Sequence, residues 1–139
     1  YPAGLGPTVP PLRDAIGALG ERGRVIEKFS FDAFGEPTFA EALQALDIGP
    51  TTAQRSHLIV AGIEAHICVL QSVESLVAQG FSVDVISDAC ASRAAQNHRT
   101  AEHMWMQTGA NLSCTESLLF QLIKSSKHPN FKAISKLIR

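Results

Sequence analysis

The 139-residue chain lacks any apolar run of roughly 18 residues, so no segment is expected to cross a membrane as a helix. It also lacks a surplus of charge. Twelve Lys and Arg against 13 Asp and Glu leave a net charge of −1, which gives no electrostatic footing for nucleic acid or an anionic bilayer. Basic residues do gather near the end (Lys124, Lys127, Lys132, Lys136, Arg139), but spread over helical turns they read as a solvated face. There are only three cysteines, Cys68, Cys90 and Cys114, an odd number at wide spacing. That argues against a disulfide framework and for a reducing compartment, the cytoplasm first and the mitochondrion as the alternative. No CxxC or HExxH pattern occurs, and a His66-x-Cys68 pair is a poor metal signature, so neither a metal nor a cofactor is expected. Tyr1 to Gly6 show neither the charged start nor the apolar stretch of a signal peptide, and no initiator methionine, so the opening reads as the interior of something longer.

What is present is the composition of a soluble globular domain, 45% hydrophobic and 18% charged, with enough chain for one core and no internal repeat or low-complexity tract. The first twelve residues carry six Pro and Gly and read as a loop. A short helix over Leu12 to Leu19 stops at Gly20, and Arg24 to Glu27 is a strand candidate that delivers Lys28 at its carboxyl end. Pro37 sits where a first helical residue should be, with Phe39, Leu43 and Leu46 marking a face. His57 to Ile63 reads as a buried strand, Val69 to Gln79 as the next helix, and Ser82 to Ser87 as the next strand. After the loop Asp88 to Arg93 come a helix with Ala101, Met104, Trp105 and Thr108 on one face, and a short strand Ala110 to Cys114. Ser113 and Glu116 have capping-box spacing before a further helix, and a terminal helix covers Asn130 to Ile138. Strands alternating with helices imply an α/β fold with a parallel sheet covered on both faces by helices.

The most informative stretch is Gly62-Ile63-Glu64-Ala65-His66-Ile67-Cys68. It places a thiol where a strand ends and a helix begins, where orphan N–H groups and the helix dipole both favour a thiolate. In open α/β sheets, ligands bind at the carboxyl ends of strands. Cys68 is therefore the candidate nucleophile, although the same position suits a small buried hydrophobe and local sequence leaves both open. Lys28 reaches the same edge and would pair with the thiolate or deliver a proton. Asp88 is a third edge residue, or a cap; Arg93 pairs with it, with an anionic substrate, or with solvent. Cys114 reads most simply as core, and Met104 and Trp105 as packing.

GIEAHICVLQ around Cys68, SDACASR at 87–93, TESLLFQLI at 115–123 and HPNFKAISKLIR at 128–139 resemble the isochorismatase-like cysteine hydrolases, within their isochorismatase domain-containing subgroup. YPAGLGPTVPPLR at 1–13 is similar to that subgroup's loop before the lysine strand. The resemblance implies an α/β Rossmann-like three-layer sandwich with a parallel sheet, and a Cys, Lys and Asp triad, with Cys68 and Lys28 at the matching positions. It also implies a non-proline cis peptide at Ile63–Glu64, with the amides of Glu64 and Cys68 forming an oxyanion hole. The family's Asp lies on a first strand for which this chain has no counterpart: none of Asp14, Asp32, Asp47, Asp84 or Asp88 stands in its context. About two βα units, ~50–60 residues, of the family domain are thus missing, and residues 1–139 correspond to its C-terminal two-thirds or more. The Asp/His-rich segment of metal-binding members is not visible either.

Two functions follow as expectations. The first is a cofactor-independent hydrolase of a small amide or related carbonyl compound, inactive or nearly so without the Asp. The second is a truncated, non-catalytic homologue acting by assembly or protein binding. Either way a homo-oligomer is expected, with a small-molecule substrate in the first case and no nucleic-acid or membrane partner.

Overall fold

A computed structural model describes residues 1–45, 49 and 57–138. Leu46, Asp47, most of the link 49–56 and Arg139 lie outside them. The sheet has three parallel strands in the order β1 (His57–Gly62), β2 (Ser82–Cys90) and β3 (Asn111–Ser113). Between them run α4 (Leu70–Ala78) and α5 (Ala95–Thr108), and after them α6 (Thr115–Ile123) and α7 (Phe131–Leu137). Three short helices precede the sheet: α1 (Pro2–Leu5), α2 (Pro10–Ala18) and α3 (Pro37–Ala45). Each starts on a proline, whose fixed φ and missing N–H suit a first helical position. The proline-rich opening is therefore part helix.

Side chains of β2 alternate between two layers. Val83 and Val85 enter a core built with Val73 and Leu76 of α4 and Ala101 and Trp105 of α5. Ile86, on the opposite face, is also buried, and α6 packs against β2 with Ile123 buried. Asp84 shares that face as the one buried charge among the described residues. His57 Nε2 lies 2.7 Å from its Oδ2, and Asn111 Nδ2 donates to its Oδ1 at 2.9 Å. Both oxygens are thus matched, as a buried carboxylate requires.

Three elements differ from the sequence reading. Arg24 to Glu27 form no strand among the described residues, because no neighbouring strand is present to take their ladder hydrogen bonds. For the same reason β1 is not buried: it pairs only with β2 and lies at the sheet edge, with Ile59 50% exposed. β2 runs three residues further than expected, to Cys90, so the expected loop 88–93 begins as strand.

No helix is long and apolar enough to cross a membrane among the described residues.

Candidate active site

The elbow after β1 is shaped by three local features. Gly62 has φ 137°, a region that side chains with a Cβ rarely adopt. The Ile63–Glu64 peptide that follows is cis. Ala65–Val69 then form a π-turn, in which the Leu70 N–H reaches back to Ala65 O. Such turns recur at functional sites because they re-aim side chains. The elbow is fastened to the end of β2: Ala91 N donates to Gly62 O at 3.1 Å and Ala65 N to Ala91 O at 2.8 Å.

Cys68 projects from this turn, half-buried and unpaired. It lines a cleft of about 400 Å³ together with Lys28, Leu58, Val60, Ile63 and Ser72. Lys28 arrives without a strand to carry it. Its Nζ donates to Ser30 O and Phe31 O, each at 2.8 Å, closing the loop on itself. The loop is then clasped to α4: Ser75 Oγ donates to Asp32 Oδ2 at 2.6 Å, and Ala33 N donates to Ser72 Oγ at 2.9 Å. Asp32 Oδ1 also accepts from Phe34 N at 2.9 Å, capping the 3₁₀ turn Ala33–Gly35. Phe34 packs edge-on to Phe39 (centroids 5.2 Å apart) and so ties the loop to the core. Among the described residues, none that lines this cleft is a carboxylate.

Glu36 braces the loop from the other side, accepting from Ser30 N at 2.9 Å and Phe29 N at 2.6 Å. The Ser30 amide first, and the Phe29 amide next, hold its carboxyl below the ordinary glutamate value of 4.5. A depressed folded value means that Glu36 stabilises the fold above 4.5 and loses that contribution as pH falls through the lower folded value. Glu36→Gln is therefore expected to lower the melting temperature at neutral pH and to flatten the acid limb below pH 4.5, so that the parent and variant profiles converge in acid. An unchanged acid limb in the variant would rule the brace out.

Other candidates fall elsewhere. Asp88 accepts from both the amide (2.8 Å) and hydroxyl (3.0 Å) of Thr115, so it caps α6. Cys114 is the residue before that helix, no side-chain cap comes from it, and the Ser113/Glu116 capping box does not form. Cys114 is not core: it is half-exposed, and hydrogen bonds from the Ser117 hydroxyl and then its amide push its thiol down. Burial pushes the Cys90 thiol up. Trp105 is wholly buried, while Met104 on the same helix is exposed. The Arg93 side chain makes no ion pair among the described residues; its backbone N–H donates to Glu64 Oε2 at 3.1 Å. Among the described residues no three His, Cys, Asp or Glu side chains converge as metal ligands.

The sequence reading missed the cluster around Glu64 and His66. His66 Nδ1 lies 2.9 Å from Ser92 Oγ and 3.7 Å from Glu64 Oε2, and Asn97 Nδ2 lies 3.2 Å from His66 Nε2. Its only signal was three polar residues (Ser92, Arg93, Asn97) near the start of a helix.

Residues 3–117 match the model of the isochorismatase domain. Isochorismatase domain-containing protein 2 of Pongo abelii is 41% identical over 140 residues, covering all of this chain and 61% of that protein. The chain thus spans about three-fifths of the length of the curated relatives it matches. The solved structure of the MAR1 ribonuclease of Caenorhabditis elegans superposes with TM-score 0.80 at 35% identity, over 99% of this chain and 65% of that one. Nicotinamidase PncA of Bacillus subtilis shares the fold at TM-score 0.60 and 24% identity, over 74% of this chain and 53% of its own. The chain belongs to the isochorismatase domain family.

Proposed function

We propose that this chain carries the nucleophile half of a hydrolase site for a small amide or related carbonyl compound. Cys68 attacks the carbonyl carbon as thiolate, and the oxyanion that forms is held by the Glu64 and Cys68 amides. The C–N bond then breaks, the amine leaves with a proton, and water hydrolyses the resulting thioester. Lys28 supplies positive charge beside the sulfur and the oxyanion. One observation carries the reading: a lone ammonium and a thiol share an apolar cleft at the carboxyl end of β1. Among the described residues the cleft has no carboxylate to take the thiol proton, so this chain alone is expected to turn over amides negligibly. Its unpaired thiols suit a reducing compartment, the cytoplasm first.

The test is iodoacetamide labelling near neutral pH, read site by site by mass spectrometry. Cys68 is expected to label at least about tenfold faster than buried Cys90. Labelling of Cys68 no faster than Cys90 would favour a non-catalytic homologue that acts by assembly. Turnover of amides by the isolated chain, lost in Cys68→Ala, would overturn the need for a missing carboxylate. RNA cleavage is a second reading, favoured by the name of the Caenorhabditis elegans neighbour. Steeply salt-dependent RNA affinity would support it, against the net charge of −1.

A further inference from the structure

We infer that His66 is a positioning residue for the Cys68 site, resting on the thiol chemistry proposed above. Its ring does not line the cleft. It stands instead between two elements that the elbow must be held against. The Asn97 amide donates to Nε2 from the first turn of α5, which leaves Nδ1 as the ring's donor. Nδ1 then faces Ser92 Oγ at 2.9 Å, with Glu64 Oε2 at 3.7 Å on the same side. That same Glu64 oxygen accepts from Arg93 N, so the acid, the imidazole and residues 92–97 form one connected network. Only 19% of the His66 side chain is exposed, which spares these bonds much of the competition from water.

The network acts at the place where orientation matters. Glu64 and His66 bracket Ala65, whose amide is already bonded to Ala91 O, and two residues later comes Cys68. The Ile67 and Val69 amides both donate to Glu64 O, at 3.1 and 3.2 Å, so the position of the Glu64 peptide sets the pitch of the π-turn carrying the thiol. Backbone hydrogen bonds tie this turn across to Ala91, and buried Ala65 and Val69 seat it in the core. His66 adds a polar attachment to α5 on the residue two before the thiol. A displacement of the thiol by about 1 Å can change reactivity by as much as ~100-fold.

Three variants of the 139-residue chain test this, with labelling of Cys68 by iodoacetamide as readout and Cys114, on the far strand end, as internal reference. His66→Ala is expected to lower the Cys68 to Cys114 rate ratio about tenfold. His66→Asn, which places a donor near the Nδ1 position and so reaches Ser92, is expected to recover at least half of the lost rate on a logarithmic scale. Asn97→Ala, which keeps the imidazole and removes only its α5 partner, is expected to give a smaller loss. Combined with His66→Ala it should add nothing further. A ratio within twofold of the parent in both His66→Ala and Asn97→Ala overturns the inference, as does failure of the asparagine to outperform the alanine. Should His66→Ala not fold, Asn97→Ala decides alone. Slow Cys68 labelling in the parent chain would count against the proposed hydrolase, whereas fast labelling in parent and variants alike counts only against His66.

Discussion

Trp105→Ala is expected to remove most of the stability of the fold. Trp105 is the largest wholly buried side chain, seated where α5 meets Val83 and Val85 of the sheet and Val73 of α4. Removing it deletes the centre of the core and leaves a cavity that rigid strands close only in part, at a cost of about 3–5 kcal/mol. Native domains hold only ~5–15 kcal/mol in reserve. A sheet open along β1 buries less apolar surface than a closed one and belongs at the low end. Trp105→Phe separates two contributions. The indole Nε1 is buried with no hydrogen-bond partner among the described residues, an omission worth about 1–3 kcal/mol against the fold. Phenylalanine removes that orphan donor while keeping most of the ring, so its cost is expected to stay below half that of alanine. Urea titration followed by far-UV circular dichroism measures both; the protein's sole tryptophan cannot report on its own removal. Equal midpoints for the alanine variant and the parent would mean that the core lies elsewhere.

Ile59→Lys is expected to convert a self-associating chain into a monomer. Among the described residues β1 has no partner on its outer edge, it carries no Lys, Arg, Asp, Glu or proline to guard it, and Ile59 and Ile63 stand 50% and 60% exposed beside it. An apolar strand edge of this kind pairs with whatever strand it meets. In a purified sample that partner is a second copy, and pairing about a two-fold axis is self-complementary. A lysine at the middle of the edge puts two ammonium groups near one another across such a junction and solvates both. Sedimentation velocity of the parent and the variant reads the result directly. A monomeric parent at micromolar concentration would show that the edge is covered some other way.

The sequence made β1, the thiol elbow, α4 and β2 legible because each is encoded locally, by an apolar run, a helix stripe and a glycine at either end. What it hid depends on contacts remote in sequence. The segment before Lys28 has strand-forming residues, yet a strand needs a neighbour, and residues 24–27 have none. Asp88 read as an edge residue or a cap, and it is a cap, but its partner Thr115 lies 27 positions away and no periodicity names that partner. Cys114 was read as core from its neighbours, whereas the hydroxyl of Ser117, one helical turn on, gives it a polar setting. The candidate site was legible to the extent that Lys28 and Cys68 could be named. What brings them together was not, because Asp32, Ser72 and Ser75 are ordinary polar residues until the loop folds onto the helix.

That loop has a mechanical consequence. The thiol is mounted just ahead of α4, and the loop that closes around the Lys28 ammonium is latched to Ser72 and Ser75 within that helix, so both are held against one rigid rod rather than on separate strands. A strand that paired with the outer edge of β1 would therefore meet a thiol and an ammonium whose supports are already fastened together, and its own sequence would be constrained chiefly where it faced them.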